Sequence, residues 1–321
     1  MAQIEFRTLL AEERARFAEL MSVAFSPQEG EVIARYLDHD PQLSERDTLV
    51  ALDGDHLVAS VQIFARAIQL AGEPVPLGGI GSVATHPEYE HRGIATELLR
   101  RAVDEMTARG MALSLLFTDR TSFYQRLGWI QIPYPVWVVR RSKSESGTAT
   151  GRPYQPSDLP CVKQIYDAYA ADRPTTTCRD EAYWRGQLAF AGNPDENFRV
   201  VDGADEIAAY ARRIEFMELA RVIEYGRKDG AAPELAEVIL EMTPADRPLF
   251  VPACGDQELA DELGRRARSL NTVVFAETMW RILDRSRLEK QSGLSSDASD
   301  ADILYALVST PRSVFWTSDR F

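Results

Sequence analysis

The chain is short of several things that define common protein classes. It has three cysteines, Cys161, Cys178 and Cys254, widely spaced and without a CxxC pair or a Cys/His ligand cluster. Neither a disulfide framework nor a zinc site follows from them, and they read as core or incidental thiols of a reducing compartment. No run of about 18 apolar residues occurs, so no membrane-spanning helix is expected. The N-terminus, MAQIEFRTLLAEERARF, has no basic stretch leading into an apolar one, so no secretory signal is visible and a cytoplasmic protein is expected. Positive charge is scarce: 36 Lys and Arg stand against 49 Asp and Glu, a formal net charge of −13. That balance argues against nucleic acid as a partner. It fits a cationic small-molecule partner, though as a whole-protein number it is only weak support for one.

What is present is ordinary folded-protein material, 45% hydrophobic and 26% charged over 321 residues, enough for two domains with their own cores. QIEFR reads as an opening strand, and Phe17, Leu20, Met21, Ala24 and Phe25 mark one face of a helix. TLVALD and HLVASVQIFARAIQL are strands joined by the hairpin signal DGDH. EPVPLGG reads as a turn before the strand IGSVAT. A regular helix follows Gly93, with Ala95, Leu98, Leu99, Ala102, Val103 and Met106 on one side. ALSLLF, the short helical SFYQRLGW and the strand YPVWVVRR close a mixed α/β unit near Arg141.

SKSESGTATGRP, residues 142–153, has linker composition. Beyond it the pattern partly repeats, giving two related domains. The second copy reads YGRKDGAAPE where the first has HRGIA. The stretch RSRLEKQSGLSSDASDAD is polar and expected to be mobile. Phe315, Trp316 and Phe321 near the end predict that the tail docks onto the body.

A strand, a turn and a helix with glycine at its mouth form a phosphate cradle, because the first N–H groups of a helix lack partners and lie at the positive end of its dipole. The alternative is that Gly93 merely eases the turn. GGIGSVA also has a GxGxxA spacing, but it precedes a strand instead of following one, which argues against a dinucleotide fingerprint.

SVATHPEYEHRGIATELLRRAVDEM resembles motif A of the GNAT acetyltransferases, and FTDRTSFYQRLGW resembles their motif B. Two GNAT-like domains of which only the first carries the cofactor motif, followed by FAETMWRILDRSRL and a terminal Phe, are similar to the enhanced-intracellular-survival (Eis) family. Its third, sterol-carrier-like domain is absent here or reduced to a stub. One position departs from motif A: Glu90 stands where Arg or Gln is usual, and it is expected to point away from the phosphates.

The resemblance implies an α/β (α+β) fold of tandem GNAT-like domains, each a mixed, mostly antiparallel twisted sheet flanked by helices, plus a short C-terminal segment. Residues 1–141 would bind acetyl-CoA, 154–285 would be the degenerate copy, and 286–321 a tail reaching the active-site cleft. It further implies that the backbones of Val83 and Thr85 hold the pantetheine arm. The N–H groups around His91, Arg92, Gly93, Ile94, Ala95 and Thr96 would hold the diphosphate.

Tyr124 matches the general acid. A phenol can protonate a departing thiolate, the alternative being a packed aromatic. The Phe321 carboxylate corresponds to the base, although it needs burial or a water relay to act near neutrality, and a merely docked aromatic tail is the alternative. His86 and His91 face the cofactor or solvent. Asp38, His39 and Asp40 line the acceptor cleft or form a solvated loop.

The implied reaction is acetyl-CoA-dependent transfer to a primary amine, either a small molecule or a lysine side chain. It would involve no metal, no nucleic acid and no membrane, and the protein would be a homo-oligomer. A non-catalytic acyl-CoA-binding scaffold is the other reading, disfavoured because a scaffold needs no acid.

Overall fold

The computed structural model describes residues 4–141, 151–191, 197–216 and 219–321. Fourteen strands among these residues form two seven-stranded sheets. The strands are β1 (Glu5–Thr8), β2 (Thr48–Asp53), β3 (His56–Leu70), β4 (Glu73–Thr85), β5 (Leu113–Phe117), β6 (Ile130–Gln131) and β7 (Tyr134–Arg140). After them come β8 (Arg152–Pro153), β9 (Phe198–Asp202), β10 (Ile207–Phe216), β11 (Leu219–Arg227), β12 (Leu249–Pro252), β13 (Ser269–Phe275) and β14 (Thr278–Ile282).

The first sheet runs β1-β2-β3-β4-β5-β14-β6 and the second, from the other end, β8-β9-β10-β11-β12-β7-β13. The repeat is therefore visible strand for strand, including one parallel pair in each sheet, β4 with β5 and β11 with β12. The other pairings are antiparallel, so both sheets are mixed.

The two sheets exchange a strand. β7, read in the sequence as the close of the unit ending at residue 141, pairs with β12 and β13 in the second sheet. β14, read as part of the second unit, lies between β5 and β6 in the first. Both strands are short apolar runs, Tyr134–Arg140 and Thr278–Ile282, and such a run does not say which sheet takes it.

The helices are α1 (Arg14–Ala24), α2 (Pro27–Ala34), α3 (Tyr36–His39), α4 (Ile94–Ala108), α5 (Thr121–Gln125), α6 (Leu159–Ala170), α7 (Glu181–Ala191), α8 (Ala232–Met242), α9 (Gln257–Arg266), α10 (Arg285–Ser292) and α11 (Asp300–Val308). α4 buries Ile94, Leu98, Leu99, Ala102 and Met106 in a cluster with β3 and β4 residues. Phe25, assigned to the buried face of α1, lies just past its end and is exposed.

Two further readings change. EPVPLGG is strand, not turn: β4 begins at Glu73, and the reversal occurs at Ala71 and Gly72, both with positive φ. The stretch expected to be mobile contains α10 and the start of α11, which bury Leu288, Ile303, Leu304, Leu307 and Val308 against the first sheet. Of the linker, Arg152 and Pro153 form β8, and the segment 142–150 lies outside the described residues.

Candidate active site

β4 is the axis of the site. On one side it pairs with β3 from Glu73 to Thr85. On the other it pairs with β5 only through Leu77–Leu113, Gly78–Ser114 and Gly79–Leu115. Past Gly79 the two strands diverge, and among the described residues the β4 edge from Ile80 to Thr85 has no strand beside it. Its backbone donors and acceptors can take an added extended chain.

A bulge sets the direction of that edge. Ser82 adopts φ +49°, and the β3–β4 register shifts between Ser60 and Gln62. Three buried polar side chains fix it. Ser60 donates to the Ser82 carbonyl at 2.9 Å, the Ser82 hydroxyl donates to Gln62, and Gln62 Nε2 donates to Thr48 Oγ1 at 2.9 Å. The sequence reading missed this support; its trace is polar residues at Ser60 and Gln62 within an apolar strand.

β4 delivers the chain to the mouth of α4. A short turn at Pro87–Tyr89 is followed by His91 at φ +61° and Gly93 at φ +79°. No side chain caps α4, so no side-chain acceptor covers the first-turn N–H groups that begin with Ile94, Ala95 and Thr96. A Cβ at Gly93 would meet nothing within 4 Å. Left-handed backbone, rather than room, is what requires glycine there.

The side chains around this loop are largely committed elsewhere. Arg92 donates to the Glu88 carbonyl at 2.7 Å and lies 4.6 Å from the Tyr89 ring centroid, while Tyr89 donates to Asp53 at 2.9 Å. His86 accepts from the Glu88 N–H. The His91 side chain is 96% exposed, and Glu90 is half exposed beside it at 3.9 Å. Any cradle at this turn would therefore be one of backbone N–H groups.

The glycine run of β4 has its explanation in residues distant in sequence. A Cβ on Gly78 would come 2.1 Å from Met106 Sδ of α4, on the helix face of the sheet. On the opposite face, a Cβ on Gly79 would come 2.3 Å from the Phe321 ring, and one on Gly81 would come 3.0 Å from the Phe321 carbonyl carbon. The Phe321 ring stacks on Phe64 at 5.2 Å and contacts Phe117 and Phe315. The tail thus docks at the point where β4 and β5 part.

The anchor of the tail is polar. Trp316 is buried edge-on to Tyr225. Asp319 pairs with Arg179, Ser318 donates to Glu224 at 2.6 Å, and Arg320 donates to Glu277 at 2.8 Å. Burial alone would raise the Glu277 carboxyl; the Arg320 and Arg221 guanidiniums and the Tyr134 hydroxyl outweigh it and hold it low.

Tyr124, in α5, is buried in the same cluster as Ile80 and Leu116, the residues just past the last β4–β5 pair. Burial pushes its hydroxyl up to about 12. Among the described residues that hydroxyl has no hydrogen-bond partner. Tyr124 thus belongs to the cluster on the helix face of the first sheet, and Phe321 lies on the opposite face.

Asp40 is not in a solvated loop. It forms a buried ion pair with Arg66, whose guanidinium also lies 4.8 Å from the Tyr183 ring centroid. Asp38 pairs with Arg14 at 2.9 Å. In the second sheet, the place equivalent to the cradle is lined by Asp202, Asp205, Glu206, Asp229 and Glu234, with Lys228 already paired to Glu206. Carboxylates there would repel a diphosphate. Among the described residues, no group of three or more His, Cys, Asp or Glu is placed to hold a metal ion, and no helix is long and apolar enough to cross a membrane.

Residues 5–132 match the family model of the acetyltransferase (GNAT) domain. A protein of Streptomyces avermitilis described as an uncharacterized N-acetyltransferase is 29% identical over 89 residues, which are 27% of this chain and 22% of that relative. The match thus spans about a fifth of that relative's length.

Among solved structures, a probable N-acyltransferase from Enterococcus faecalis V583 is similar at TM-score 0.69 and 18% identity, covering 90% of this chain and 75% of the other. Eis1 from Mycobacterium abscessus is similar at TM-score 0.63 and 18% identity, covering 90% and 76%. At these identities the structural likeness concerns the fold.

Proposed function

We propose that the chain is an acetyltransferase of the GNAT kind, a reading supported by the match of residues 5–132 to that domain's family model, and that it transfers an acetyl group from acetyl-CoA to a primary amine. The observation that carries the reading is the divergence of β4 from β5 after Gly79, with an open strand edge leading straight into the uncapped start of α4. An extended amide-bearing arm fits the edge, and a diphosphate fits the N–H groups from His91 to Thr96. Acetyl-CoA supplies an acetyl group activated as a thioester.

Val83 and Thr85 extend the sheet by backbone hydrogen bonds to the arm, which leaves the thioester in the gap between the strands. The amine nitrogen attacks the acetyl carbonyl, forming C–N and breaking C–S. The Phe321 carboxylate accepts the proton that the amine loses, and the Tyr124 hydroxyl donates to the departing sulfur. The two roles are separate, because the incoming nitrogen and the leaving sulfur occupy different corners of the tetrahedral intermediate and each needs its own proton acceptor or donor. A phenol raised to about 12 keeps its proton until negative charge develops beside it. The three free thiols fit a reducing cytoplasm. A homo-oligomeric state is part of the proposal and is measured by light scattering.

The test is thiol release from acetyl-CoA with a panel of amines, using the 321-residue chain and the same chain extended by one glycine. Extension is expected to lower kcat about 100-fold or more, the scale of a lost general base, with KM for acetyl-CoA held. An extended chain of unchanged kcat removes Phe321 from the mechanism. Tight acetyl-CoA binding without release to any amine removes the enzymatic reading.

A further inference from the structure

Beside the docked tail lies a cavity of about 210 Å³, walled by Phe117, Ile132, Trp280, Val308 and Phe315 and bearing, as its one charged lining side chain among the described residues, Arg320. We infer that this cavity receives the acceptor, and that the acceptor is a monoamine with an apolar body the size of one aromatic ring. The inference rests on the acetyl-transfer reading above and adds the substrate class.

Position is the first argument. Phe117 ends β5, two residues past Leu115, the last partner of β4. The rings of Phe117 and Phe315 lie 5.7 and 6.0 Å from the ring of Phe321. A molecule in the cavity therefore lies against Phe117, Phe315 and Arg320, the neighbours of the residue proposed to take the amine proton, on the side of the sheet away from α4. The Thr310–Ser313 turn, with Pro311 exposed, forms part of its wall.

Size is the second. A cavity of ~150 Å³ with aliphatic and aromatic walls holds one benzene molecule, so this one holds a ring and a short aminoalkyl arm. The third argument is the state of three of its polar side chains, Tyr134, Thr278 and Arg320, which already have partners. Tyr134 donates to Glu277 at 2.8 Å, Thr278 donates to the Ile132 carbonyl, and Arg320 donates to Glu277 at 2.8 Å while lying 4.0 Å over the Phe117 ring. A second ammonium on the acceptor would find no carboxylate in the wall and would face Arg320. A polyamine is thus disfavoured by charge, and an apolar body is favoured by the wall.

The experiment compares kcat/KM for 2-phenylethylamine and spermidine in the full chain and in Ser309→Trp. Ser309 lines the cavity and is absent from the proposed catalytic groups. Preference for 2-phenylethylamine by about tenfold or more is expected, the scale of a hydrophobic-pocket contact. In Ser309→Trp its KM should rise by a similar factor while KM for acetyl-CoA stays constant, which also certifies the fold.

Equal or better use of spermidine by the unmodified chain overturns the cavity assignment and leaves acetyl transfer standing. If no amine releases thiol, the transfer reading fails. Calorimetric titration of 2-phenylethylamine then decides the cavity alone: binding lost in Ser309→Trp keeps it as a ligand site, and no binding overturns it.

Discussion

Asp319 accepts two hydrogen bonds from Arg179, 2.9 Å from Nε and 2.7 Å from Nη2, and neither side chain touches solvent. Arg179 also donates to Glu224 at 2.7 Å, and Arg212 lies 3.5 Å from the same carboxylate. Two cations and two anions thus balance inside the second sheet's side of the molecule, and one of the anions belongs to the tail. Asp319→Ala leaves a buried guanidinium excess and is expected to cost about 3 kcal/mol, the low end for breaking a buried pair, read by urea denaturation. Acetyl transfer should fall further than stability does, because Phe321 loses its anchor two residues away. Activity that tracks only the folded fraction would separate the anchor from the site.

Gly79 and Phe321 form a pair testable by a double-mutant cycle. Gly79→Ala places a methyl where the Phe321 ring stands, with Phe64 behind it. The ring has little room to shift, so roughly 1–3 kcal/mol of overpacking is expected, together with loss of transfer. Phe321→Ala in the same chain removes the clash. The two stability losses should therefore fall short of additivity by about 1 kcal/mol or more. Strict additivity would mean that the tail does not sit on Gly79.

The role proposed for Tyr124 carries a prediction for the alkaline side of the pH profile. Its hydroxyl, held up to about 12 by burial, stays protonated through the range in which the protein is assayed. No alkaline fall in kcat from this group is expected below pH ~11, and Tyr124→Phe should lower kcat by about 100-fold or more without changing KM for acetyl-CoA. The linked stability has a defined sign. A folded value above the unfolded value of about 10 stabilises fully below pH ~10 and is lost as pH rises toward 12. Glu224 behaves oppositely: burial would raise it, but Arg179 and Arg212 hold it low. Its contribution is present above pH ~4.3 and is lost as pH falls through the lower folded value. Thermal midpoints measured across pH should fall at both extremes.

A fragment of residues 1–141 is expected not to fold cooperatively. It contains β6 and β5 but lacks β14, which stands between them, and it carries β7, whose two partners are both missing. Supplying residues 151–321 as a second polypeptide should restore a cooperative transition. A fragment that melts cooperatively by itself would contradict the exchange.

Much of the first half was legible because its signals are local. β2 and β3 follow their apolar patterns and the Asp-Gly turn between them, and Gly93 and Tyr124 lie in short motifs whose spacing survives intact. What escaped depends on distant partners. Pro74 and Pro76 read as turn residues, yet they sit in β4 where β3 is its only strand neighbour, so their missing N–H groups cost no ladder bond on the open side. Gly79 and Gly81 make sense only once Phe321, some 240 residues later in the chain, occupies their faces. The acidic, serine-rich stretch before α11 hides a capping box, Ser299 with Asp302, that starts a helix with one buried face. Composition over a window averages that face away.

The exchange of β7 and β14 also bears on how the protein is made. Chains emerge from the ribosome at about 5–20 residues per second, and roughly 150 residues separate β6 from the strand that must slip in beside it. For on the order of ten to thirty seconds the nascent first sheet holds an open slot, edged on one side by the apolar strand Leu113–Phe117. Such an edge pairs readily with strands of neighbouring chains. Yield in the cell should therefore respond to trigger-type chaperones and to translation speed more than the stability of the finished protein would indicate.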